Sequence, residues 1–136
     1  AAGCVVISGA IAFFLLRSPD AGQVFGSLLL AFTIGSFTGQ MLVPTRHAGP
    51  MLLAPMVLAV LVYVYVAMSF DTQAALLAAW YNQTPGAGTP GPRLPGPAMA
   101  LPIQYVSAGV AGCTLGYGLA QAFDVARAQA AEAAGA

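Results

Sequence analysis

The sequence predicts an all-α integral membrane protein, with four transmembrane helices in an up-down bundle. Three observations lead there. Hydrophobic residues fill 59% of the chain and charged residues only 6%. An ordinary soluble domain carries about 25% charged residues, so this chain has too few to cover a surface in water. All nine ionisable side chains (cysteine and tyrosine aside) fall outside four apolar runs: Arg17, Asp20, Arg46, His47, Asp71, Arg93, Asp124, Arg127 and Glu132. An ion at mid-bilayer costs roughly 2.5–3.5 kcal/mol, which keeps charges out of spanning segments. Finally, three of the runs are about 20 residues or longer, which at about 1.5 Å per residue matches the ~30 Å hydrocarbon core. The mean hydropathy of +0.82 points the same way. The whole chain, 1–136, reads as one membrane domain.

The first run, 1–16, is short for a span. It ends at Arg17-Ser18-Pro19-Asp20, where Pro19 removes a backbone donor and disfavours helix at Ser18. Asp20 is placed to cap the next helix. The second run, 24–43, is one bilayer long. Ser27, Ala31, Gly35 and Gly39 repeat at every fourth position and form a small-residue stripe for close helix packing. Three glycines there, Gly26, Gly35 and Gly39, lower helix propensity, so close contacts are expected to compensate. Thr33, Ser36 and Thr38 can bond back to their own helix.

The turn 44–50 holds Arg46 and His47, a candidate lipid or partner contact in an interfacial turn. The third run, 51–70, carries Pro55 near its start, where a missing donor does least harm. Tyr63 and Tyr65 point to different sides, so at least one should bond a neighbouring helix or sit at an interface. Asp71 and Thr72 look like an N-cap for a short interfacial helix over 72–82. Its closing Trp80 and Tyr81 are candidate lipid or partner contacts.

Residues 84–97 contain five prolines and four glycines in 14 positions, which predicts an irregular loop outside the membrane between the third and fourth helices. The fourth run, 101–123, holds 23 residues without a charge. Ala108, Gly112, Gly116 and Ala120 give it a second stripe, expected to pack stripe to stripe on the second run. The first three runs should lie side by side in chain order. The tail, 124–136, is alanine-rich and should continue as a fraying helix. Arginine placement favours a cytoplasmic amino terminus, 44–50 turn and tail.

Function is less legible. No ionisable side chain sits inside a run, and His47 has no second histidine or neighbouring carboxylate in sequence. There are no paired carboxylates and no CxxC, HExxH, GxSxG or phosphate-loop motif. Catalysis, a cofactor and a bound metal are therefore not expected. The absence of lysine and of any basic cluster argues against nucleic acid. Cys4 and Cys113 read as small apolar packing residues. The expected partners are the lipid bilayer and other membrane subunits or copies of the chain itself. The expected role is a non-catalytic structural or accessory subunit of a larger membrane complex, in a bacterial plasma membrane crossed several times. The alternative is a small homo-oligomeric channel or carrier.

Overall fold

The computed structural model describes residues 2–16, 20–44, 47–82 and 94–135. These residues are all-helical, with no strand among them. The elements are α1 (Ala2–Leu15), α2 (Ala21–Leu42), α3 (Gly49–Leu52), α4 (Ala54–Ser69) and α5 (Gln73–Tyr81). A 3-10 turn (Gly96–Met99) follows. Then a long helix runs through α6 (Pro102–Gln104), a π segment (Tyr105–Gly109) and α7 (Val110–Gly135).

Local chemistry explains most of the boundaries. Thr72 caps α5 by accepting a hydrogen bond from the Ala75 N–H at 3.2 Å. Asp20 holds the N-cap position of α2, but its side chain makes no capping bond. Leu53 separates α3 from α4. Pro55 has no N–H to offer the carbonyl four residues back, so the helix breaks and restarts with Pro55 in its first turn. At the last helix, the Gln104 side-chain carbonyl accepts the Leu101 N–H at 2.8 Å, and Pro102 opens the first turn.

Among the described residues, two helical stretches are long and apolar enough to cross a membrane: Ala21–Leu42 and Gly49–Ser69. The first helix, at 14 residues, is shorter. The run at 101–123 is not one of the two either. It spends positions on Gln104, Tyr105, Tyr117, Gln121 and on glycines, which pack well but lower its hydropathy.

The core forms around α2, which packs most extensively on α7 and next on α1. Sequence order suggests α4 beside α2, and the structure departs from this. Here α4 lies on α1 and on the π segment, and the π segment also touches α2. Going round the bundle, the order is therefore α4, α1, α2, α7, with the π segment closing the ring. Residues 94–100 also depart from the expected outer loop. Leu94, Pro97 and Ala100 are buried, and Gly96 lies so close to Leu16 that an added Cβ would strike the Leu16 carbonyl. Beyond Ala120 every described residue of α7 is exposed, though Phe123 still meets Phe37 of α2 edge to face, with ring centroids 6.4 Å apart.

Candidate functional site

The densest part of the molecule is the seam where α1, α2 and α7 meet. Glycine makes it possible. A Cβ at Gly112 would lie 2.5 Å from the Leu29 carbonyl oxygen and 2.9 Å from the Phe32 Cβ. One at Gly116 would strike the Thr33 carbonyl and come 3.0 Å from the Phe37 N. Real side chains do not fit such gaps, so α7 rests directly on the α2 backbone. Gly109 extends the contact, since its Cβ would meet Pro55 at 2.5 Å. On the other face of α2, a Cβ at Gly35 would collide with Ser8 Oγ, and one at Gly39 would touch the Cys4 backbone at 3.5 Å.

All eight residues of the two stripes are buried: Ser27, Ala31, Gly35 and Gly39 on α2, and Ala108, Gly112, Gly116 and Ala120 on the last helix. Their pairing differs from a stripe-to-stripe fit. The α7 stripe sits on the Leu29–Phe32–Thr33–Ser36–Phe37 face of α2, while the glycines of the α2 stripe face α1. The α1 residues that receive them are Cys4 and Ser8, which with Ala12 are the buried residues of that helix. They form a third small-residue row at spacing four. The same spacing that marks the other two stripes marks this one, so it was open to detection in the sequence. Gly26, in contrast, has nothing within 4 Å and compensates for nothing.

Besides Ser27 of the α2 stripe, Cys4, Ser8, Ser36 and Cys113 lie buried inside this seam. Cys4 Sγ is 3.3 Å from Ser36 Oγ on α2 and 3.8 Å from Ser8 Oγ one turn along α1. Cys113 of α7 is buried in the same seam, between Gly112 and Gly116. Both thiols are free and 1% exposed, and both serines are fully buried. Thr33 bonds back to the Leu29 carbonyl at 2.7 Å, as a helical threonine can, but Ser36 turns towards Cys4. The sequence marks Cys4 and Cys113 as apolar fillers. That they share one seam, 109 positions apart, depends on which faces of α1 and α7 turn to α2, and no local pattern encodes that. Among the described residues no three of His, Cys, Asp or Glu gather around a common point.

The other proposed contact residues lie elsewhere. Arg46 is outside the described residues. His47 is exposed, and so are Trp80 and Tyr81 on α5. Trp80 borders an apolar cavity of about 280 Å³ together with Tyr63, Leu77, Leu94 and Leu101. Above that cavity two tyrosines hold the irregular turn. Tyr63 donates to the Ala100 carbonyl at 2.6 Å, and Tyr105, fully buried, donates to the Pro97 carbonyl at 2.8 Å.

Comparison with protein-family models, with curated proteins and with solved structures finds no match for this chain. What the fold and seam define is a class: a helical protein with two helices long and apolar enough to cross a membrane.

Proposed function

We propose that the chain is a small multi-pass membrane protein, with four helices crossing the bilayer, serving as a non-catalytic structural or accessory subunit of a larger membrane complex. The membrane in question would be a bacterial plasma membrane. One observation carries this reading: the closest helix contacts run through small residues, while many large apolar side chains lie on the outside. Around a buried Phe32, the contacts on α2 run through glycine, alanine, serine and cysteine, whereas Val6, Phe14, Leu42, Val60, Met68 and Ile103 are each more than 60% exposed. A water-soluble domain of this size exposing so many large apolar side chains would aggregate. Lipid solvates them at no cost and leaves close van der Waals packing as the force between helices.

The experiment is extraction of the chain in mild detergent, followed by identification of what accompanies it. Foreign subunits in fixed stoichiometry support the accessory role. A chain that remains soluble without detergent as a compact monomer removes the membrane reading altogether. A lone homo-oligomer that conducts ions in liposomes replaces the subunit reading with the channel or carrier.

A further inference from the structure

We propose that the apolar cavity between α4, α5 and the 3-10 turn holds one acyl tail of a bilayer phospholipid. The proposal rests on the membrane reading above and goes beyond it by giving one lipid one place. Val66 of α4, Leu76, Leu77 and Trp80 of α5 and Ala98 of the turn help form its walls. Its volume of about 280 Å³ is nearly twice the ~150 Å³ of an apolar cavity that takes a benzene ring. It falls just short of the ~300–1,000 Å³ of sites that enclose a drug-sized molecule. That is room for a length of one hydrocarbon tail and not for a whole lipid.

Three observations point to hydrocarbon. First, the walls offer a polar ligand little to bind. Among the lining residues only Tyr63 and Trp80 carry a polar side-chain hydrogen, and the Tyr63 hydroxyl already donates to the Ala100 carbonyl at 2.6 Å. A buried water needs about two to four polar partners and would lack them here. Second, α5 needs an apolar partner that the bundle does not supply. No described helix packs extensively on α5, and Ala79 is its one buried residue, yet Leu76, Leu77 and Trp80 all line the cavity. An empty gap forfeits the dispersion contacts of those side chains, and a tail lying in it restores them. Third, Trp80 lines the cavity while remaining 43% exposed. An indole suits the level where apolar interior meets headgroups, so a phospholipid whose headgroup stays at the surface can reach in with its tail.

The test uses the full chain in detergent and a phosphatidylcholine brominated at mid-tail, because bromine quenches indole fluorescence on contact and Trp80 is the only tryptophan. Quenching should saturate near one lipid per polypeptide, and unbrominated phosphatidylcholine should reverse it. Native mass spectrometry of the protein extracted from membranes should retain one phospholipid. Stripping that lipid should speed amide exchange in α5 while the seam stays protected. These readouts need no variant. Ala98→Phe and Val66→Phe fill the cavity from two walls. Each methylene displaced is worth about fourfold in affinity, so each variant should bind about 10-fold more weakly or worse.

Quenching that rises without a plateau marks collision with passing lipid and overturns the site. So does a plateau at two or more lipids, a retained fatty acid or detergent in place of phospholipid, or wild-type affinity in a folded variant with the cavity filled. A protein soluble without detergent removes the membrane reading and this site together. A detergent-dependent protein that fails the quenching test removes the site alone.

Discussion

The seam between α1, α2 and α7 and the turn beneath α4 solve one problem in opposite ways. In the seam three regular helices approach until glycine Cα atoms lie against neighbouring backbone. Each helix satisfies its own N–H and C=O groups, so the seam needs only small side chains. At 94–100 the backbone is irregular and partly buried, and its short turn bonds, from the Ala98 N–H to Pro95 and from the Ala100 N–H to Pro97, cover only some of its carbonyls. Two large side chains add donors: Tyr63 at the Ala100 carbonyl and Tyr105 at the Pro97 carbonyl. Buried backbone polar groups must be paired somewhere, and in a bilayer the demand is stricter still. Where secondary structure meets it, size is removed from the side chains; where it does not, size is added.

The largest expected effect lies in the seam. Replacing Gly112 or Gly116 with leucine places a branched side chain against the α2 backbone, which cannot move aside without leaving α1. Each change should cost about 3 kcal/mol or more, at the upper end of overpacking effects. The pair together should separate α7 from α2. The measurement is thermal unfolding in detergent by circular dichroism. The internal control is Gly118→Leu in the same helix, where nothing lies within 4 Å; it should hold or raise stability, since leucine is the better helix former. If all three behave alike, close backbone approach is not what holds the seam.

A finer test sits on the opposite face of α2. Gly35→Ala should cost about 1–3 kcal/mol by pressing on Ser8. Adding Ser8→Gly should recover part of the loss, because the collision involves both that side chain and the backbone. A double-mutant cycle gives the coupling directly. No recovery would mean that α1 sits on α2 in some other register.

The turn should break through hydrogen bonding rather than volume. Tyr105→Phe keeps the ring and removes the buried hydroxyl donor from the Pro97 carbonyl, which then keeps only the Ala100 N–H at 3.3 Å, at a cost of about 1.5 kcal/mol. Tyr63→Phe, at a hydroxyl only part-buried, should cost about 0.5–1.5 kcal/mol, since water or lipid headgroups can substitute. Denaturation in mixed detergent measures both. Equal costs would show that the two clamps are equally dry.

Some of this was legible in the chain and some was not. The helices and stripes were, because charge exclusion and spacing-four repeats are local patterns. Which stripe meets which was not. Gly112 meets Leu29 and Thr33 rather than Gly35 because α2 has two usable faces, and composition does not rank them. Residues 94–100 read as outer loop from their prolines. Proline reports that a segment is not helix, and says nothing about whether a tyrosine 37 residues upstream will hold it. The buried thiols share this limit: Cys4 and Cys113 enter one seam only after all three helices have taken their faces.

The smallest effect belongs to the margin of the fold, and it marks where the contrast stops. The short helix α5 has only one buried residue, Ala79, so neither close packing nor a clamp holds most of it. Its start rests on one side-chain bond, from the Ala75 N–H to Thr72 Oγ1. Thr72→Ala should therefore cost about 1 kcal/mol, with the loss confined to this helix. Amide hydrogen exchange should quicken at Ala75 and the next turn while the seam amides stay protected, as expected for a locally opening unit. Should seam protection fall as well, α5 and the cavity beside Trp80 are coupled to the core, and the margin belongs to the same cooperative unit as α2.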